Sequence, residues 1–160
     1  MHTLGRDNSR RSGAANAPGA VVGCGVDTEM KLGIAHRALR ATGSAAAIEV
    51  RRVLSTEADR VVMCEPVAME ILSGAVDDDK HAKLEQLVNG FPSLKIDDAV
   101  DFRSAAAIHR SARRAGQTIR SINDCLIAAL SIRHGASIIH RDADFEGIAA
   151  ITGLAAESFR

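Results

Sequence analysis

The stretch of residues 121–145, SINDCLIAALSIRHGASIIHRDADF, decides the fold of this chain. Its first half combines apolar residues and alanines as a buried helix does, and we predict a helix from Ser121, the N-cap, to His134. Gly135 then ends the helix, and the continuously apolar run over 136–140 predicts a strand that is buried on both faces. Helices that alternate with such strands are typical of a parallel sheet in an α/β domain.

The remainder of the chain repeats this alternation. Residues 1–19 are polar and predict a disordered leader, followed by one domain over 20–160. Helices are predicted over 29–40, 44–58, 67–75, 79–91, 98–116 and 145–152, and strands over 20–26, 60–64, 93–96 and 155–159. The fold class is therefore a single α/β domain, with a parallel sheet of four to five strands covered by helices on both faces.

The composition excludes several classes of protein. The 20 Lys and Arg residues balance the 20 Asp and Glu residues, so a polyanion has to meet a local basic patch. With four Phe, no Tyr and no Trp, the chain cannot hold nucleic acid mainly by aromatic stacking. The three cysteines form no CxxC pair, which disfavours a disulfide framework and a zinc site. No apolar run has the character of a signal peptide or a membrane span, so we expect a cytoplasmic protein.

Acidic residues occur at the predicted edges of the sheet, where ligands of open α/β sheets bind. Asp124 lies three residues after Ser121, where it forms either an N-terminal capping box or a ligand site. Asp142 follows the strand over 136–140 directly, and Asp144 either faces the same side or caps the next helix. Glu70 lies among apolar neighbours, where a charge is usually paired in a salt bridge or bound to a metal.

Acidic residues that converge at one edge repel one another, and each raises the pKa of its neighbours. Such a cluster is stable when a cation lies at its centre, and oxygen ligands without His or Cys favour Mg²⁺ or Mn²⁺. These ions promote phosphodiester hydrolysis because they activate water and neutralise charge on the leaving oxygen. The acidic residues therefore indicate a metal-dependent phosphodiesterase as one interpretation.

Three short motifs surround these residues: MEILSGA around Glu70, NDCLIAAL around Asp124 and HRDADF around Asp142. Together they resemble PIN-domain ribonucleases of the VapC type over residues 40–160. The resemblance implies the sheet order 3-2-1-4-5, catalytic roles for these three residues, and Asp144 as a further metal ligand. It also implies Mg²⁺-dependent endoribonuclease activity with Mn²⁺ as a substitute, a VapB-type antitoxin, and a homodimer.

The N-terminal part departs from the family pattern. The family opens with an apolar strand that ends in an Asp, the first metal ligand, and the nearest match is Val26-Asp27-Thr28. The resemblance therefore assigns Asp27 to the metal together with Asp124, Asp142 and Asp144. The alternative is that residues 1–39 replace the true first strand through a frame error or a rearrangement, which leaves an impaired site.

A basic segment runs from Arg103 to Arg120 and contains no acidic residue. Arg103, Arg110 and Arg114 are spaced by seven and four residues and therefore share one face of the predicted helix. This face is either solvated or in contact with RNA phosphates, and we predict that Arg110, Arg114 and Arg120 bind RNA.

We therefore expect an endoribonuclease toxin that hydrolyses RNA, with structured RNA such as tRNA as the suspected substrate. Metal-activated water is expected to leave a 5′-phosphate and a 3′-hydroxyl. An alternative of a different class is a catalytically impaired PIN fold that binds an antitoxin or RNA. A flavodoxin-like small-molecule binder is disfavoured, because no glycine-rich phosphate loop follows a strand.

Overall fold

The computed structural model describes the backbone of residues 31–33 and, beyond it, residues 52, 55–56 and 58–158. The strands are β1 (Lys31–Gly33), β2 (Val61–Cys64), β3 (Ser93–Leu94), β4 (Ser137–His140) and β5 (Ala156–Ser158). Neighbouring strands all pair in parallel, in the order β3-β2-β1-β4-β5. This is the order that the family resemblance implies, and the predicted α/β architecture is confirmed.

Helices connect the strands from β2 to β5, in the order that the sequence predicts. After a 3-10 turn (Ala58–Arg60), the helices are α1 (Glu65–Leu72), α2 (Asp78–Asn89), α3 (Asp101–Arg114), α4 (Ile122–His134) and α5 (Ala143–Ile151). Pro66 lies in the first turn of α1, and Gly135 ends α4 at a φ of 66°, as predicted. The ends of the other helices differ from the predicted ones by a few residues, as helix ends commonly do.

The central strand is where the sequence prediction was wrong. We predicted a helix over 29–40, but Lys31–Gly33 pairs with both β2 and β4 and occupies the centre of the sheet. The strand predicted over 20–26 lies outside the described residues, as do the leader and most of the helix over 44–58. A strand of three residues has too short an apolar pattern to be recognised, and its pairing with two neighbours overrides local propensity.

Both faces of the sheet are covered around β2 and β4. All residues of β2 are at most 6% exposed, and successive side chains of a strand point to opposite faces. Ile138 and Ile139 of β4 are equally buried, and the ring of the buried His140 packs against Phe145. No helix in the described part of the chain is long and apolar enough to span a membrane.

A buried ion pair joins α3 to α4. Asp101 is fully buried, and its two carboxylate oxygens accept hydrogen bonds of 2.7 Å from Nε and Nη2 of Arg133. Arg133 also donates to the carbonyl of Lys95 at 2.6 Å, and the backbone N–H of Asp97 donates to Asp101 at 2.7 Å. The Arg133 guanidinium holds the pKa of Asp101 below its usual value. Because the pair joins the start of α3 to the end of α4, the two helices run antiparallel.

We expect Asp101→Ala to lower the free energy of unfolding by about 3–5 kcal/mol, because it leaves the Arg133 guanidinium without its partner. Urea unfolding at pH 7 measures this loss, with the exposed Asp98→Ala as the matched control. The ionised form of Asp101 supplies stability above the unfolded pKa, and this stability is lost as the pH falls through the lowered folded pKa. The gap between wild type and variant should therefore narrow below about pH 4. Equal stability of the two variants at pH 7 contradicts this role.

Candidate metal centre

Asp124 is a buried carboxylate in the first turn of α4, with an exposure of 9%. The predicted capping arrangement is wrong, because the Ser121 side chain does not cap the helix. Within the described residues, the Asp124 carboxylate also forms no hydrogen bond or ion pair. A carboxylate in this position that no protein group engages is a candidate ligand for a cation.

The pKa of Asp124 is raised to about 7, chiefly by burial and then by the negative charges of Asp142, Glu70 and Asp144. Arg120 acts in the opposite direction and lowers it. The structure thus brings the acidic residues of α1 and of the segment after β4 within electrostatic range of Asp124 on α4. Their mutual repulsion disfavours the charged form of Asp124 unless a cation offsets it.

Glu70 is half-buried on α1, and its Oε1 accepts a hydrogen bond from Nδ2 of Asn123 on α4. The alternative of a salt bridge is not met, since Glu70 forms no ion pair among the described residues. Asn123 was missed in the sequence analysis because a polar residue in the first turn of a helix is common. Only the packing of α1 against α4 shows that it joins the two helices and orients Glu70.

Asp142 and Asp144 are held by Arg120, which lies just before α4. Nη2 of Arg120 is 2.6 Å from Oδ1 of Asp142, and its Nε is 3.2 Å from Oδ1 of Asp144. The backbone N–H of Arg120 donates to Oδ2 of Asp144 at 2.8 Å. Asp142, and not Asp144, caps α5, by accepting a hydrogen bond of 3.1 Å from the backbone N–H of Asp144. The alternative in which Asp144 caps that helix is therefore wrong.

The chemistry of the donor set fits a hard divalent cation. The candidate ligands are carboxylates, and carboxylate oxygens are the ligands that Mg²⁺ prefers in proteins. Burial raises the pKa of the Cys64 and Cys125 thiols to about 11, so they stay protonated and do not compete as ligands. Within the described ranges, no three Asp, Glu, His or Cys side chains lie close enough together to hold one ion. The metal-binding roles of the acidic residues therefore stay predictions.

Asp27, the predicted first ligand, lies outside the described residues. Asp27 precedes β1 in the chain. The carboxyl end of β1, which lies beside the carboxyl ends of the neighbouring parallel strands, is Gly33. The first acidic residue after Gly33 is Glu49. The prediction that the strand before Asp27 is the central one is wrong, because Lys31–Gly33 takes that place.

A basic surface lies at the end of α3. Arg110, Arg113 and Arg114 are exposed and line an open depression of about 390 Å³. None of them pairs with an acidic side chain of the described residues. Because α3 runs antiparallel to α4, this depression lies toward the end of the helix pair that carries Asp124.

Comparison with known proteins identifies the family. The model of the PIN domain family matches residues 33–151. This chain belongs to the PIN-domain family. The chain is 73% identical over 121 residues to the VapC ribonuclease Mb1587 of Mycobacterium bovis and to the ribonuclease VapC11 of Mycobacterium tuberculosis. Each match covers 76% of this chain and 90% of the relative. These relatives show that it belongs to the VapC branch.

Solved structures share this fold. The complex VapBC2 of Rickettsia felis, bound to promoter DNA, includes a chain with a TM-score of 0.59 and 16% identity, and the match covers 82% of this chain and 98% of that chain. FitAcB of Neisseria gonorrhoeae gives a TM-score of 0.57 at 17% identity, with coverages of 79% and 95%. At such low identities, the likeness shows the fold alone.

We expect Asp124→Asn to stabilise the metal-free PIN domain at pH 8 and to have little effect at pH 4. A raised folded pKa means that the folded state binds the proton more tightly than the unfolded chain, so the wild type loses stability as the pH rises from about 4 to about 7. At about 1.4 kcal/mol per pKa unit, the loss is on the order of 2–4 kcal/mol. Thermal unfolding in EDTA measures it, with the exposed Asp98→Asn as the control. A difference between wild type and Asp124→Asn that is independent of pH contradicts the raised pKa.

Proposed function

We propose that this PIN domain is the metal-dependent endoribonuclease toxin of a toxin–antitoxin pair. The observation that carries the proposal is Asp124, a carboxylate at 9% exposure without a partner among the described residues, in the field of Glu70 and Asp142. A divalent cation offsets the burial and the repulsion that together raise the pKa of this carboxyl to about 7. The kinship with VapC11, which is named a ribonuclease, supports RNA as the substrate.

Glu70, Asp124 and Asp142 are the residues that we assign to Mg²⁺, with Mn²⁺ as a substitute. Such an ion, when bound, activates water for attack on phosphorus and neutralises the charge on the leaving oxygen. The chain supplies orientation, because Asn123 fixes Glu70 and Arg120 fixes Asp142 by hydrogen bonds. Attack by water with departure of the 3′ oxygen leaves a 5′-phosphate and a 3′-hydroxyl.

The RNA backbone, we propose, lies along the basic depression that Arg110 and Arg114 line at the end of α3. The chain has no net charge, so its contacts with a polyanion must come from such a local group of cations. Four Phe and no Tyr or Trp give little surface on which unpaired bases can stack. Structured RNA such as tRNA, recognised through its phosphates, is therefore the substrate class that we favour.

The partner that we propose is a VapB-type antitoxin, which holds the toxin inactive, together with a second copy of this chain in a homodimer. Membership of the VapC branch supports the antitoxin, and the Rickettsia felis chain with the same fold belongs to a VapBC complex. Met69 and Ile122 are 59% and 57% exposed and directly precede Glu70 and Asn123. They offer an apolar surface beside the acidic residues to which a protein partner can bind.

A second candidate function is that of a catalytically impaired PIN domain that binds an antitoxin or RNA. The observation that favours it is the end of β1, where Gly33 is followed by no acidic residue before Glu49. The family pattern has its first metal ligand at the end of the first strand, and Asp27 precedes β1. A site with one carboxylate fewer binds Mg²⁺ more weakly, because ligand charge sets much of the affinity.

We expect the wild type to bind Mn²⁺ and to cleave RNA in Mg²⁺, and Asp124→Asn to lose both while it stays folded. Loss of a neighbour of a metal ligand typically costs 10–100-fold, so loss of a ligand should lower cleavage by about 100-fold or more. Electron paramagnetic resonance of free Mn²⁺ measures binding, and gel analysis of labelled tRNA measures cleavage. Asp98→Asn, on the exposed turn before α3, should change neither. Full cleavage by a folded Asp124→Asn variant rules out its metal role.

Asp27→Ala, in the same two assays, separates the two candidate functions. Weaker Mn²⁺ binding by this variant identifies Asp27 as a ligand and supports the complete enzyme. Equal Mn²⁺ affinity in the variant and the wild type refutes Asp27 as a ligand. If the wild type also fails to cleave RNA, the impaired binding module is the correct function.

Arg110→Gln with Arg114→Gln should weaken RNA binding uniformly across RNA sequences. If both side chains contact phosphates, the plot of log affinity against log salt should flatten by about one to two units of slope. Fluorescence anisotropy with labelled RNA in EDTA measures this at several salt concentrations. Lys80→Gln with Lys83→Gln, on exposed positions of α2, is the control with the same charge change. Identical slopes for the two double variants show that the α3 face is only solvated.

A further inference from the structure

Arg120 pairs with Asp144 as well as with Asp142, and the proposed metal chemistry gives Asp144 no part. We propose that Arg120 positions a phosphate of the RNA beside the acidic residues, and that Asp144 anchors its guanidinium instead of binding the metal. The inference rests on the proposed ribonuclease function and assigns the phosphate contact nearest to the acidic residues. It replaces the metal role predicted for Asp144 and gives the RNA contact predicted for Arg120 a structural basis.

The hydrogen bonds of Asp144 are those of an anchor. Its side chain is 6% exposed, and both of its oxygens accept hydrogen bonds from Arg120. Oδ1 accepts from Nε at 3.2 Å, and Oδ2 accepts from the backbone N–H at 2.8 Å. One buried carboxylate thus holds the main chain and the side chain of the same arginine. Arg120 engages both oxygens of Asp144 but only Oδ1 of Asp142, and Asp144 is the less exposed of the two, so Asp144 is the less accessible to an ion.

The outer part of the Arg120 side chain remains available. The side chain is 61% exposed, and within the described residues its Nη1 has no acceptor. Nε and Nη2 are engaged by Asp144 and Asp142, which fixes the plane of the guanidinium. An arginine whose plane is already fixed loses little conformational entropy when it binds a phosphate.

The charges around Asp124 favour Arg120 as the contact for a phosphate. Among the described groups that act on the pKa of Asp124, Arg120 is positively charged, and Glu70, Asp142 and Asp144 are negatively charged. A phosphate that approaches these acidic residues is therefore repelled unless the proposed metal ion or the Arg120 guanidinium faces it. Arg120 also directly precedes Ser121 and α4, so a phosphate on it lies next to the segment that carries Asp124.

The test compares RNA binding with metal binding. Anisotropy of a fluorescein-labelled RNA hairpin in EDTA gives RNA affinity without cleavage, and free Mn²⁺ measured by electron paramagnetic resonance gives metal affinity. We expect Arg120→Gln to weaken RNA binding about tenfold or more, as for loss of a hydrogen bond to a charged group. Arg120→Lys should recover part of this loss, because it keeps the charge but not the fixed plane. Arg141→Gln, an exposed neighbour of Asp142 with the same charge change, should lose less than about threefold.

Asp144→Asn separates an anchor from a ligand. We expect it to weaken RNA binding about threefold to tenfold and to leave Mn²⁺ affinity within about twofold, whereas Asp142→Asn should weaken Mn²⁺ binding. Two results overturn the inference: Mn²⁺ binding in Asp144→Asn as weak as in Asp142→Asn, or an Arg120→Gln variant that binds RNA as the wild type or Arg141→Gln does. Arg120 is exposed, so its variants stay informative even if Asp144→Asn folds poorly. A wild type that binds no RNA overturns the proposed function first, and this inference with it.

Discussion

Parallel strands direct all their carboxyl ends to one edge of the sheet, and in this molecule that constraint gathers acidic residues from distant segments. β2 leads into α1 with Glu70, and β4 leads into the turn with Asp142. Asp124 joins them because α4 begins on the same side and buries its first turn. Burial first, and then the repulsion among these residues, raise the pKa of Asp124. The negative charge of the site is thus a consequence of the topology. Arg120 offsets part of this charge, and Asn123 orients the Glu70 carboxylate.

The parts of the fold that could be predicted are those whose signal is local. The buried helix α4, its glycine terminus and the apolar strand β4 follow one another within 25 residues or so, and each obeys its own periodicity. The central strand β1 could not be predicted, because a run of three residues has no periodicity and its state is decided by two neighbours far along the chain. Position at the centre of a sheet is a tertiary property, and Lys31–Gly33 carries no local sign of it.

The residues of the site likewise divide into those that local sequence indicates and those that only the packing reveals. A capping carboxylate and a ligand carboxylate have the same sequence pattern, so Asp124 and Asp144 were both open to two interpretations. The hydrogen bonds exclude the cap for both, because Asp142 caps α5 and Asp124 accepts no hydrogen bond among the described residues. Asn123 and Arg120 gain their roles from partners 53 and 22 residues away, respectively, which no local pattern encodes. Sequence thus finds the acidic residues, whereas only packing finds the groups that hold them.

Arg120 also offsets part of the repulsion among the acidic residues of the folded state. A cluster of carboxylates without a cation destabilises the folded state, and a metal ion is one way to offset that cost. Here a guanidinium from the chain already pairs with two of the carboxylates, at 2.6 and 3.2 Å. The remaining cost falls mainly on Asp124, which relieves it by binding a proton near neutral pH. A guanidinium of the chain itself, together with a proton on Asp124, therefore offsets part of the repulsion that a bound cation would otherwise have to offset alone.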